Sequence, residues 1–145
     1  MTRPGVGLYG GLPFVDATPV VTLDLPVVQV REVAAGETVG YGNTFIAPGP
    51  MRIATLCGGY ADGLIRAMGN NATLTFEEHK LPLVGRVSMD MITVDVSNIS
   101  ANIGDEVILW GDGLPLNEIA NTANTIGYEL TARMPKRVPR IVIEN

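Results

Sequence analysis

The chain has 145 residues, 46% of them hydrophobic and 17% charged, which suits one globular domain with its own core and not a disordered segment. Ten basic and fifteen acidic residues leave a net charge of −5 with no basic stripe, so nucleic acid is not an expected partner, since phosphate contacts supply most of that affinity. A single cysteine excludes an internal disulfide framework, no apolar run approaches the ~20 residues of a membrane helix, and the opening residues lack a signal-peptide apolar region; a cytoplasmic protein with no membrane partner is expected.

The first dozen residues, including Arg3-Pro4-Gly5-Val6-Gly7-Leu8-Tyr9-Gly10-Gly11, are too glycine-rich for an ordinary opening strand and read as the tail of something that begins upstream. Residues 18–33 are rich in Val and Leu and read as a strand, with Pro26 marking a bulge or an edge position. Further strands are expected over residues 38–47, 52–57, 73–76, 81–87 and 106–110. Ile92-Thr93-Val94-Asp95-Val96 alternates strictly, which puts Ile92, Val94 and Val96 on one face. Turn signals separate these pieces at Ala35-Gly36, Asp62-Gly63, Gly69-Asn70-Asn71, Ile103-Gly104-Asp105 and Gly111-Asp112-Gly113. Leu116, Ile119, Ala120, Ala123 and Ile126 recur at helical spacing, and Gly127 reads as a stop, so one short helix is expected over residues 115–126. A last strand is expected over residues 138–143. Many short strands and regular turns predict a mainly β fold, a small barrel or sandwich-like domain.

Three stretches could carry chemistry. Gly58-Gly59-Tyr60-Ala61-Asp62-Gly63 follows an apolar strand and ends in a turn. Tyr60 there is either a packed residue beside a hairpin or a functional phenol at a strand end, where rigid scaffold meets solvent. In Val84-Gly85-Arg86-Val87-Ser88-Met89-Asp90, Arg86 and Asp90 either pair with each other or line a carboxylate-binding site, because a guanidinium matches carboxylate geometry. In Arg3-Pro4-Gly5-Val6 the glycine either makes a turn or lets backbone N–H groups approach a phosphate. The other polar residues point nowhere in particular. His79 lies in the run Glu77-Glu78-His79-Lys80, which reads as a solvated turn, and without a second His or Cys no metal site is expected. Cys57 reads as a small core residue. The basic cluster Arg133, Lys136, Arg137 and Arg140 reads as local pairing.

In order along the chain stand R-P-G-V-G-L-Y-G, V-G-Y-G-N-T-F, G-Y-A-D-G, V-G-R-V-S-M-D, G-D-E-V, Y-E-L and R-V-P-R. This series is similar to the carboxy-terminal part of the fold-type III alanine racemases and covers residues 3–143. The resemblance implies that residues 1–13 are the remnant of the end of an N-terminal α/β barrel and that residues 14–145 are the C-terminal β domain. It implies a homodimer with alanine as substrate and pyridoxal 5'-phosphate as cofactor. Tyr60 matches the tyrosine base of a two-base racemisation, which in the family reaches across the dimer into the partner's active site. A free phenol titrates at ~10, so a tyrosine base needs cations or hydrogen bonds that favour phenolate. Arg3 matches the arginine on the cofactor's pyridine nitrogen, and Gly5 and Val6 match the backbone pair on its phosphate. Met89 matches the residue whose backbone binds the substrate carboxylate, and Arg86 and Asp90 match polar residues around the approach to the substrate. Lys136 stands where many members carry a phosphate-contacting tyrosine.

Only Lys80 and Lys136 are lysines, and neither matches the family's Schiff-base lysine. The 145 residues by themselves are therefore expected to be inactive. Broad-specificity and serine racemases share these motifs, and a β domain acting only in binding or dimerisation is the non-enzyme alternative.

Overall fold

A computed structural model describes residues 1–143. Its strands are β1 (Leu23–Val33), β2 (Thr38–Val39), β3 (Phe45–Ile46), β4 (Met51–Cys57), β5 (Thr73–Phe76), β6 (His79–Pro82), β7 (Met91–Asp95) and β8 (Glu106–Trp110), and its α-helices are α1 (Leu116–Thr122) and α2 (Gly127–Ala132), beside short 3-10 turns. Six strands form one sheet in the order β6-β5-β8-β1-β4-β7, every pairing antiparallel, and β2 and β3 form a separate hairpin. The fold is mainly β, as expected. The sheet is not a closed barrel: beyond β6, Leu83 reaches β7 through a single bridge to Val94.

β1 organises the sheet. Its first part, Leu23 to Pro26, pairs with β8, and from Val27 it pairs with β4. Pro26 sits at this handover, next to a register shift between Val27 and Gln29, and so is the bulge marker the sequence contains. Alternation decides what is buried. Leu25, Val27 and Val33 of β1 face inward, as do Ile92, Val94 and the following Val96 at β7. All but Val33 meet Leu56, Leu74, Leu109 and Trp110 in one core, which Leu116 and Ile119 of α1 and Leu130 of α2 cap, while Val33 packs in a second, smaller cluster with Val39, Met51, Ile53 and Val84.

Several expected elements differ. The strand expected from residue 18 begins at Leu23, because Pro19 interrupts the run and Val20 instead donates its amide to Leu8 O at 2.8 Å. Residues 38–47 are not one strand but the β2–β3 hairpin, turned by Gly40, Gly42 and Asn43 with φ of 79°, 72° and 51°. The strand expected over residues 81–87 ends at Pro82, and Gly85 then turns the chain at φ 84°. His79 and Lys80 belong to β6, and the turn before them is Glu77-Glu78.

The helix expected over residues 115–126 is the shorter α1, Leu116–Thr122, and a second helix that the sequence did not predict, α2, follows it at Gly127–Ala132. Asn124 at φ 53° ends the first segment, and Gly127 opens α2 rather than stopping α1. A Cβ at Gly127 would lie 2.9 Å from Leu116 Cδ2, so this glycine is a close-packing residue. Leu116, Ile119 and Ala120 are buried as the spacing predicts, but Ile126 is exposed. Residues 138–143 form no strand: Ile141, Val142 and Ile143 are exposed, with no neighbouring strand among the described residues. Cys57 is exposed at the end of β4 and is not a core residue. No helix among the described residues is long and apolar enough to cross a membrane.

Candidate active site

Tyr60 starts a one-turn 3-10 helix, Tyr60–Asp62, directly after β4. The segment is bound to the loop before β7 by backbone hydrogen bonds. Gly58 N donates to Asp90 O at 2.8 Å, Tyr60 N to Ser88 O at 3.0 Å and Ala61 N to Met89 O at 3.0 Å. Gly59 makes this approach possible. A Cβ there would lie 2.3 Å from Met89 O and 2.4 Å from Ser88 O. Two motifs 30 residues apart thus become one strip that carries Tyr60 and Met89 side by side.

Both side chains face outward. Tyr60 is 38% exposed and Met89 53%. The Tyr60 hydroxyl has no hydrogen-bond partner among the described residues, and the Met89 N–H donates to none of them. Neither of two surface depressions, one lined by Phe76, His79 and Asp105 and the other by Phe45, Asn70 and Asp95, includes Tyr60. The phenol is thus exposed at the surface of the chain.

Charge is concentrated at this seam. Asp62 accepts the Gly59 amide at 2.9 Å through Oδ2 and pairs with Arg137 Nε at 2.9 Å through Oδ1. Arg137 Nη2 also donates to Asp90 Oδ1 at 3.0 Å. The hydrogen bond that Arg137 donates to Asp90 and the charge of Asp62 hold the pKa of the guanidinium above its usual value. The pairing of Arg86 with Asp90 that the sequence left open does not form. Asp90 is taken by Arg137, while the Arg86 guanidinium lies against Gly42 of the β2–β3 turn, about where a Cβ on Gly42 would meet it at 3.5 Å. No carboxylate among the described residues pairs with Arg86.

Arg3, Gly5 and Val6 lie elsewhere. Gly5–Tyr9 is a 3-10 turn anchored by the buried Val6 and by Tyr9, whose ring stands edge-on to Trp110 with centroids 6.1 Å apart. No hydrogen bond or ion pair joins this turn to the Tyr60 strip among the described residues. Of the basic cluster, Arg133 and Arg140 do pair locally, with Glu129 and with the carbonyls of Pro135 and Val138. Arg137 is the site residue that reading missed. Its only sequence signal is its place in R-V-P-R, since a bridge to residues 62 and 90 needs the folded chain.

The family model for the alanine racemase C-terminal domain matches residues 20–142. The chain belongs to the alanine racemase family. An alanine racemase of Cereibacter sphaeroides is 51% identical over 140 residues, covering 97% of this chain and 40% of its own. One of Stutzerimonas stutzeri is 43% identical over 146 residues, with 95% and 41% covered. Among solved structures, the biosynthetic alanine racemase of Pseudomonas aeruginosa superimposes with a TM-score of 0.88 at 43% identity, over 94% of this chain and 40% of that one. The Bartonella henselae alanine racemase, solved with covalently bound pyridoxal phosphate, gives 0.88 at 39% identity over 96% and 40%. The chain thus spans about two fifths of the alanine racemases it matches.

Proposed function

We propose that these residues form the tyrosine side of an alanine racemase active site, in which Tyr60 is one of two bases that interconvert L- and D-alanine. The observation that carries this reading is the strip joining an exposed, unpartnered phenol to the unpartnered Met89 amide, in a chain of this family. The Met89 N–H is free to hold a substrate carboxylate. Tyr60 then lies beside it, free to take or return the α-hydrogen on one face. Arg86 and the paired Asp90 flank the approach. Because Tyr60 and Met89 are both exposed, the remainder of the site comes from another surface, which we assign to the partner of a homodimer.

The residues at the N-terminus fit the cofactor this reading requires. Arg3 is exposed, the Gly5 and Val6 amides donate to no acceptor among the described residues, and the space around Gly5 is open, with no atom within 4 Å of a Cβ built there. Arg3 would hold the pyridine nitrogen of pyridoxal 5'-phosphate, and the two amides its phosphate. When bound, that group supplies the electron sink that makes the α-hydrogen removable. Residues 1–13 would close an N-terminal α/β barrel, with residues 14–145 as the β domain, the last two lying outside the described residues.

By themselves the 145 residues are proposed to be inactive. Lys80 is on β6 and Lys136 on the C-terminal segment, and no hydrogen bond or ion pair links either to the Tyr60 strip among the described residues. Incubating the chain with alanine and pyridoxal 5'-phosphate should give no D-alanine, and sustained racemisation would overturn this. The base role is tested in the Cereibacter sphaeroides racemase with this chain in place of its matching segment. Tyr60→Phe should lower kcat/KM ~10²- to 10⁴-fold while α-hydrogen exchange in heavy water survives from one enantiomer only. Activity within a few-fold of the parent would reject Tyr60 as a base.

A further inference from the structure

The Tyr60 strip is fastened twice. Backbone hydrogen bonds join residues 58–61 to residues 88–90, and a side-chain chain runs Gly59 N, Asp62, Arg137, Asp90. The second fastening connects three segments remote in sequence through one guanidinium. Its Nε serves Asp62 at 2.9 Å and its Nη2 serves Asp90 at 3.0 Å. The planar fork of an arginine fixes the direction of each of these two contacts, whereas a lysine ammonium could attract both carboxylates only as a point charge without fixing their geometry. Arg137 is half exposed, with 55% of its side chain accessible, so it adds little to global stability. Its effect is on geometry. Remove the guanidinium, and Asp62 and Asp90 face each other across the seam with no cation between them. The seam they would open is the one that sets Tyr60 beside Met89.

We propose that Arg137 is a positioning residue for the racemase reaction: by bridging Asp62 and Asp90 it fixes the separation between the Tyr60 phenol and the Met89 amide. The proposal rests on the reading of Tyr60 as a base and Met89 as the carboxylate anchor. A displacement of ~1 Å at such a pair can cost ~10²-fold in rate, whereas a merely stabilising surface pair would cost almost nothing at assay temperature.

The test is a double-mutant cycle in the hybrid racemase described above, with amide exchange measured on the 145-residue chain. Arg137→Gln should lower kcat/KM ~10- to 100-fold when Tyr60 is present and by less than ~3-fold in the Tyr60→Phe background. Arg137→Lys should recover only part of the loss, and it replaces Arg137→Gln in the cycle if that variant fails to fold. Arg133→Gln, which breaks an exposed pair with Glu129 and touches neither Asp62 nor Asp90, should leave the kinetics unchanged. In the chain itself, exchange of the Tyr60 and Ala61 amides should quicken ~10-fold in Arg137→Gln and not in Arg133→Gln. Equal losses in both tyrosine backgrounds, full rescue by lysine, or unchanged amide exchange would each overturn the proposal. Full activity of Tyr60→Phe would instead reject the base reading, and the exchange result would still show whether Arg137 holds the strip.

Discussion

Replacing Gly59 by alanine adds a single methyl at the closest approach in the candidate site. The new Cβ would sit 2.3 Å from Met89 O, 2.4 Å from Met89 C and 2.4 Å from Ser88 O. That is about 1 Å inside van der Waals contact. All three obstacles are backbone atoms, so no rotamer change relieves the overlap. Gly59 has φ of −149°, an extended value open to any residue, so backbone strain makes no contribution. The chain can respond only by opening the strip, which breaks the Tyr60-to-Ser88 and Ala61-to-Met89 hydrogen bonds. Overpacking costs about 1–3 kcal/mol, and each lost hydrogen bond about 1 kcal/mol. The expected destabilisation is about 3–5 kcal/mol. In urea, with a slope near 2 kcal/mol/M, the unfolding midpoint should fall by roughly 2 M. Gly49→Ala is the control, because no atom lies within 4 Å of its Cβ position and its φ is not positive. It should change stability by less than ~0.5 kcal/mol. A Gly59→Ala midpoint within ~0.3 M of the parent, with the Tyr60 and Ala61 amides still protected, would refute the argument that backbone proximity dictates this glycine.

Three other outcomes are expected. Leu56→Ala empties a fully buried position on β4 and should cost about 2–5 kcal/mol in the same urea titration. Glu37 has its carboxyl held below the ordinary value of 4.5 by the Ala34 amide first and the Arg31 guanidinium second. A carboxyl lowered on folding adds stability that is present above its unfolded value and lost as pH falls through the folded one. The stability gap between the parent and Glu37→Gln should therefore narrow as pH falls below ~4.5, as read from thermal midpoints across pH 7 to 3. Cys57 is exposed, so a thiol reagent should titrate one thiol per folded chain without denaturant, and protection until unfolding would contradict its placement.

Local patterns carried the strands whose hydrophobic alternation or β-branched content was strong. β4, β5, β7 and β8 fall within a residue of where residues 52–57, 73–76, 92–96 and 106–110 place them. The errors cluster where tertiary contact overrides a local signal. Gly127 reads as a helix stop by propensity, yet it opens a helix because Leu116 packs against its missing side chain. Residues 138–143 have strand composition but no strand to pair with among the described residues, and a strand is not stable without a neighbour. Cys57 follows an apolar run and reads as core, but the pleat turns it outward at the end of β4.

The candidate site divides the same way. Tyr60, Met89 and Asp90 can be singled out from motifs, since residue types and local spacing are properties of the chain. Mainly β class and family membership were legible for the same reason, being written in short periodicities and ordered motifs. That Gly59 must be a glycine, that Tyr60 and Met89 share one backbone seam, and that Arg137 rather than Arg86 takes Asp90, were decided by the tertiary structure. Each depends on distances between segments remote in sequence, which the packing of the sheet sets and no local pattern encodes.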